Sequence, residues 1–300
     1  MTQLLWKPLL SGTLPINPAT GDFDYSLIPF PVYASPKIDG FRAMVQRGIL
    51  VSRNGLPVRN KELQARYGHK EYEGLDGELT DGPPNGEDVF HRTSKVVTKA
   101  DADASAVQFN VIDWFGDLNL GIRYSCLEEA KGGWDDKTIH VIKQTFIRSV
   151  AQLKAYEAKT LAAGYEGVML RCADQGAYMQ KRSTLREFYL VRMKRFEYAE
   201  AVIIGVNPLR HNANEERTSA GKRSSKKAGM VVDYNRVGSA TLRDCKTGIE
   251  FDTTIGAERL RAWKGWPHAL GVRVRYKYQV CGTVDKPRIN TCSFAELGVK

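Results

Sequence analysis

Lys37-Ile38-Asp39-Gly40 sets a lysine two residues before an aspartate and three before a glycine, inside Ala34-Ser-Pro-Lys-Ile-Asp-Gly-Phe-Arg42. Alone, such a tetrapeptide reads as a β-turn with solvated charges beside a turn glycine. What sets it apart is the series that follows. Ser52-Arg53-Asn54-Gly55 comes next, then Leu75-Asp76-Gly77-Glu78-Leu79 and Phe109-Asn-Val-Ile-Asp113-Trp-Phe115. Tyr165-Glu166-Gly167-Val168-Met169-Leu170-Arg171 and Val191-Arg192-Met193-Lys194-Arg195-Phe196 complete it. One amine, several carboxylates and a set of basic groups recur in an order that suits attack by lysine on phosphorus.

A lysine amine is nucleophilic only when neutral, and with an ordinary pKa near 10.4 roughly one in a few thousand is neutral at pH 7. Nearby positive charge or burial shifts that balance. Arg42, Arg192, Lys194 and a bound divalent cation could supply the charge while neutralising a triphosphate. A strand–turn bearing Lys37 would hold the amine in line with an α-phosphorus, opposite the pyrophosphate leaving group. Glu78 and Glu166 each lie where a short strand begins or ends. One could bond a ribose hydroxyl and the other hold Mg²⁺, a hard cation that prefers oxygen ligands. Arg53 or Arg182 could grip a nucleic-acid 5′-phosphate bidentately, and both read equally well as surface arginines.

The elements that must position these groups read mostly as strands. Ala43–Gln46 and Ile49–Ser52 are β-prone, with Arg47-Gly48 where a hairpin turn would fall. Val107–Phe115 is a buried strand, and Glu166–Arg171 and Phe188–Lys194 return to strand character. Between Lys137 and Gly164 the spacing of Ile139, Ile142, Phe146, Val150, Leu153, Tyr156 and Leu161 predicts a helix. This order predicts an α+β class: antiparallel sheets with packed helices over residues 1–197.

A fresh series of strands follows over 198–300: 201–206, 229–234, 239–242, 249–255 and 271–278, with a short helix around Ala257–Lys264. Five strands in about 100 residues suit a small β-barrel such as an OB-fold, and other small barrels fit as well. The alternation in Val272-Arg-Val-Arg-Tyr-Lys-Tyr278 puts Arg273, Arg275 and Lys277 on one face. Residues 211–228 hold Arg217, Lys222, Arg223, Lys226 and Lys227 and almost nothing apolar. They read as a mobile basic loop that orders on nucleic-acid phosphates.

Composition agrees. The 300 residues are 42% hydrophobic and carry a net charge of +10, of which +7 falls in residues 196–300, so a polyanionic partner is expected. Cys126, Cys172, Cys245, Cys281 and Cys292 are odd in number and form no Cys-x-x-Cys pair. A reducing compartment and no structural metal are expected. No secretion signal or long apolar run is present in the sequence, so no membrane association and a cytoplasmic location are expected.

With these residues in view, the chain resembles the minimal ATP-dependent DNA ligases of viruses and phages, covalent nucleotidyltransferases. The resemblance implies a nucleotidyltransferase (adenylation) domain, then an OB-fold DNA-binding domain. It implies Lys37 as the residue that takes AMP from ATP, with Asp39 assisting phosphodiester formation. It also implies Arg42 and Glu78 as contacts to AMP or its ribose, and Arg53 and Arg182 on the 5′-phosphate of a nick. Glu166, with Glu78, would hold Mg²⁺ or Mn²⁺, and Arg192 with Lys194 would hold the nucleotide phosphate. The 211–228 loop would be a clamp around nicked duplex DNA, encircled by a monomer in a bacterial cytoplasm or virus-infected cell. The sequence departs from the family by arginine in place of lysine at 192. It also has Ile112 where an aromatic residue stacks on adenine, leaving Ile112, Phe109 or Trp114 to cover the base. An RNA ligase or a GTP-using mRNA-capping guanylyltransferase would share the first domain, and Ser52–Gly55 and Arg42 favour DNA ligase. A basic OB-type nucleic-acid-binding protein would explain the charge but leave Lys37, Glu78 and Glu166 without a role.

Overall fold

In the computed structural model, residues 6–86, 88–135, 137–216, 223–224, 226–279, 286–294 and 297 are described. The chain divides into two compact units, Met1–Lys194 and Arg195–Lys300. The class is mixed α+β. Among the described residues no helix is long and apolar enough to cross a membrane.

Among the described residues the first unit contains ten strands and four α-helices: β1 (Gly12–Thr13), β2 (Val32–Pro36), β3 (Phe41–Gln46), β4 (Ile49–Ser52), α1 (Lys61–Tyr67), β5 (Leu75–Asp81), α2 (Val89–Val97), β6 (Val107–Trp114), α3 (Leu120–Ala130), β7 (Ile139–Val141), β8 (Thr145–Ile147), α4 (Val150–Ala162), β9 (Val168–Cys172) and β10 (Val191–Met193). They form two five-stranded sheets. One has the order β1-β10-β9-β2-β8, the other β4-β3-β5-β6-β7. Pairing is antiparallel except for β1 with β10 and β6 with β7.

Local chemistry accounts for these elements. Arg47 and Gly48, both at positive φ (58° and 68°), close the two-residue turn between β3 and β4. Asn60 caps α1 by accepting from the Leu63 N–H, and its amide donates to the Val96, Lys99 and Ala102 carbonyls. Val107, Phe109 and Val111 of β6 alternate into a core with Leu50, Leu63, Tyr67 and Leu79. A second core, with Val32, Leu153, Val168, Leu170 and Met193, lies on the other sheet. Leu9, Met44, Val51, Phe115, Tyr178 and Leu190 form a third cluster drawing on both sheets.

The helix expected across 137–164 is half wrong. Its first part is two short strands, β7 and β8, and only Val150–Ala162 is helical. Ile139 and Ile142 share a helical spacing, but β7 adds to the edge of one sheet beside β6 and β8 to the edge of the other beside β2. Edge pairing with β-branched residues outweighs a periodicity that a few apolar residues produce by coincidence.

The second unit contains β11 (Glu197–Asn212), β12 (Met230–Asp244), β13 (Glu250–Thr254), α5 (Glu258–Arg261), β14 (Arg273–Gln279) and β15 (Arg288–Cys292), in the sheet order β13-β12-β11-β14-β15. Among the described residues five strands are present, yet not the five expected. Segments 229–234 and 239–242 are one strand, β12, because bulges opposite Asn207 and Pro208 let the hairpin run on through the intervening residues. The last strand is β15, which the sequence reading passed over. Among the described residues no ladder joins β13 to β15, so the sheet is not closed by hydrogen bonds. Arg273 and Arg275 are exposed and Val274 and Tyr276 buried, as the alternation predicts.

Candidate active site

The ladder between β2 and β9 extends one step beyond the strands. The Lys37 N–H donates to the Gly167 carbonyl (2.8 Å), and the Glu166 N–H donates to the Lys37 carbonyl (3.3 Å). On the other side of β9, Val168 pairs with Met193 of β10, so Lys194 follows directly. Three neighbouring strands thus end together, and their next side chains meet. Lys37 Nζ pairs with Glu166 Oε2, and Lys194 Nζ lies 2.5 Å from Glu166 Oε1. Glu166 is 6% exposed and Lys194 9%. Burial by itself raises the Glu166 carboxyl pKa, but the two ammonium groups outweigh it and hold the group below its ordinary range. Only glycine fits at 167. Its φ is +157°, and a Cβ there would stand 2.2 Å from the Met193 carbonyl oxygen.

The second sheet presents Arg42, Glu78 and Ile112 from adjacent strands, Arg42 and Glu78 as direct cross-strand partners. Arg42 binds Asp76 through Nε and Nη2, each at 2.6 Å, and its Nη1 lies 3.6 Å from Glu78 Oε1. Burial opposes the guanidinium charge, and Asp76 more than restores it. Glu78 is different. Burial raises its carboxyl to about 7 despite Arg42 and Lys37, and among the described residues its buried Oε2 has no hydrogen-bond partner.

Between these groups opens a cleft of about 190 Å³. Lys37, Arg42, Arg53, Glu78, Ile112, Met169, Arg171 and Arg192 line it, with the chain from Leu9 to Ser11 as a further wall. Arg192 Nε donates to Thr13 Oγ1 at 3.0 Å. Arg171 and Arg123 both pair with Asp113, and all three side chains are nearly inaccessible. Burial raises the Asp113 carboxyl, and the two guanidinium groups bring it below its usual value.

The raised Glu78 pKa predicts an unusual stability profile. A carboxyl held at about 7 in the fold and near 4.5 when unfolded costs nothing below pH 4.5, and its full penalty applies above 7. Glu78→Gln should therefore raise the melting temperature at pH 8, by a free energy on the order of 3 kcal/mol, and leave it unchanged near pH 4.5. Thermal melts from pH 4.5 to 8.5 check this; a gap between the two proteins that does not widen with pH would show that Glu78 is already ionised throughout.

No protein-family model matches the chain, and no curated protein matches it. Among solved structures the chain is similar to the Chlorella virus DNA ligase–adenylate, with 25% identity over 96% of this chain and 98% of that one and a TM-score of 0.55. It is also similar to a Lig E DNA ligase, with 21% identity over 97% and 99% and a TM-score of 0.69. The chain has the fold of the minimal ATP-dependent DNA ligases. Both matches run nearly end to end, so the ligase resemblance takes in both units.

Within this ligase-like first unit, Lys37, Arg42, Glu78, Ile112, Arg192 and Arg53 share the cleft, and Glu166 and Lys194 join it through Lys37. Asp39 is half-buried and Arg182 exposed, its Nη1 donating to the Ser11 carbonyl (2.5 Å); neither lines the cleft. Of the three residues considered for the adenine face, only Ile112 lines the cleft. Phe109 is buried against Tyr67, and Trp114 donates from its indole to the Glu73 carbonyl. The carboxylate pair expected to hold a metal does not make a ready cage, since both Glu166 oxygens engage lysines.

In the second unit, His211 and Asn212 of the expected loop belong to β11. The rest of the described segment folds back on itself: Asn212 and Asn214 donate to the Ser224 carbonyl, Arg223 to the Asn214 carbonyl, and Lys226 pairs with Glu216. Lys227 is exposed. Arg217 and Lys222 lie outside the described residues.

Sequence reasoning passed over Arg123, Tyr178, Met169 and the Leu9–Ser11 wall. A signal existed for one of them. Arg123 stands on the face of α3 shared by Leu120 and Leu127, and a charge at core spacing implies a buried counter-charge.

Proposed function

We propose that the protein is an ATP-dependent DNA ligase that seals 3′-OH/5′-phosphate nicks in duplex DNA, in replication, repair or recombination. The observation that carries this reading is the meeting of Lys37, Glu166 and Lys194 at the ends of three adjacent strands, across a cleft from Arg42 and Glu78. A nucleotide in that cleft would meet an amine for its α-phosphorus, basic groups for its phosphates and a carboxylate oxygen in want of a donor. Lys37 must first leave Glu166 and shed its proton. Its lone pair then forms the N–P bond while the α–β P–O bond breaks and pyrophosphate departs. A 5′-phosphate oxygen of DNA next attacks that phosphorus, and the P–N electrons return to lysine. Finally the 3′-hydroxyl attacks the activated 5′-phosphate, its proton is lost to solvent, and AMP leaves.

Glu78 and Arg42 would hold the ribose, Ile112 the adenine face, and Arg192 and Lys194 the phosphates. Asp39 would assist phosphodiester formation, and Arg53 and Arg182 would grip the 5′-phosphate. Among the described residues no group of three His, Cys, Asp or Glu side chains could hold a metal alone. Glu78 and Glu166 with substrate phosphates suit Mg²⁺ or Mn²⁺, cations commonly held by one or two carboxylates and phosphate oxygens. Bound there, the cation supplies positive charge against the triphosphate.

Residues 1–197 would form the nucleotidyltransferase domain and 198–300 an OB-type DNA-binding domain, with 211–228 as a clamp by which a monomer encircles nicked DNA in a bacterial cytoplasm or infected cell. Incubation with labelled ATP, GTP or NAD and Mg²⁺ tests the first step. Stable label from ATP alone is expected; label from GTP alone would move the reading to capping. Sealing of a nicked duplex, but not of single-stranded RNA, separates the DNA ligase from an RNA ligase. Replacing 213–228 by a short turn should leave self-adenylation within about twofold of wild type and weaken nick binding at least about tenfold. Unchanged nick affinity would remove the clamp from the scheme.

A further inference from the structure

Tyr178 is buried 5% exposed among aromatic rings, with Trp6 and Phe115 packed edge-on at centroid distances of 6.2 Å and the Arg123 guanidinium 5.7 Å from its ring centre. Phenylalanine would serve that packing equally well. The hydroxyl is therefore the informative atom. It accepts from the Leu9 N–H at 2.7 Å and donates to Asp76 Oδ2 at 2.6 Å. The same Oδ2 accepts from Arg42 Nη2, while Oδ1 accepts from Nε. Asp76 is fully buried, so no solvent substitutes for a lost partner.

We propose that Tyr178 is a positioning residue: its hydroxyl, held by the Leu9 amide, sets the rotation of the Asp76 carboxylate and thereby aims Arg42 into the cleft. A carboxylate gripped on both oxygens by one guanidinium can still swing about its Cβ–Cγ bond, carrying the arginine with it. A third bond, from a phenol fixed to the cleft wall, removes that freedom. Burial, then the nearby Asp76 charge, raises the phenol well above its ordinary pKa, so it remains a donor at every working pH. Leu9 itself lines the cleft, so one hydroxyl sets both this wall and Arg42.

The inference rests on the reading of Arg42 as a nucleotide contact, and a double-mutant cycle separates the two. Dissociation constants for α,β-methylene-ATP, which cannot adenylate the lysine, are measured with Mg²⁺ for wild type, Tyr178→Phe, Arg42→Gln and the double variant, with thermal melts of each. Tyr178→Phe should weaken binding about tenfold in the wild-type background and less than about twofold beside Arg42→Gln. A purely structural hydroxyl would give additive effects, and additivity or unchanged affinity in Tyr178→Phe overturns the proposal. If Arg42→Gln alone leaves affinity unchanged, the reading of Arg42 fails first, and the inference with it. Arg42→Lys completes the cycle if the glutamine protein does not fold. A Tyr178→Phe protein that does not fold would make the hydroxyl a determinant of the fold, which also overturns its assignment as a positioning residue.

Discussion

A Lys37→Ala protein incubated with α-labelled ATP and Mg²⁺ should acquire no label, a loss of at least about 10⁴-fold in self-adenylation. The magnitude follows because the proposed reaction forms a bond to that nitrogen, and water would not replace an amine held beside the α-phosphorus. Lys194 is the nearest substitute by position, and its pairing with the far oxygen of Glu166 holds it at the next strand rather than at residue 37. Lys37→Arg should fail equally, because a guanidinium keeps the charge but does not deprotonate to become a nucleophile. Both variants should still seal a nick supplied with AMP already on its 5′-phosphate, since that step does not pass through the lysine. Full labelling of Lys37→Ala would end the proposed mechanism, whatever the fold resembles.

Glu166→Ala is expected to have the second largest effect, and in two separate quantities. The carboxylate sits between two ammonium groups, and its removal leaves two like charges facing each other with Lys194 buried. Breaking a buried pair from one side costs roughly 3–5 kcal/mol. The loss should depend on pH in a defined direction. The Glu166 carboxyl is held below its ordinary range, so the stability it confers is complete above the unfolded-state pKa and disappears as pH falls through the folded-state value. The gap in melting temperature between wild type and Glu166→Ala should thus be full at pH 7 and close in the acid range. Self-adenylation should fall at least about 100-fold even where the variant is folded, because Mg²⁺ and Lys37 lose a shared carboxylate. Melts that coincide at pH 7 would show that the ion pairs contribute nothing, and adenylation within a few-fold of wild type would remove Glu166 from the chemistry.

Strands β3, β6, β9 and β10, which carry much of the cleft, were legible in the sequence because their residues obey a local rule. Alternation along Val107–Trp114 puts Phe109 and Val111 in the core and Ile112 on the other face, where the cleft runs. Positive φ at Arg47 and Gly48 makes the expected hairpin. Where rules of similar strength compete, local reading failed. Ile139 and Ile142 share a helical spacing with residues further on, yet β7 and β8 join the edges of two different sheets. Choosing among them requires knowing which edge is open, and that is a property of the assembled sheets. The same holds for Met230–Asp244, read as two strands until the bulged pairing with β11 makes them one.

Residue types and their order along the chain supplied by themselves a lysine, two glutamates and a set of arginines suited to phosphate chemistry, since the side chains' charges and functional groups are fixed by their identity. Only the tertiary structure decided which of them meet. Lys37 and Glu166, 129 residues apart, become partners because β2 and β9 share a ladder, and Lys194 joins because β10 lies on the other side of β9. Arg182 and Asp39 do not line the cleft, and Tyr178 and Asp76 join it only through Arg42. Sequence separation carries no information about such distances; strand register does, because each ladder step fixes which side chains emerge on the same face.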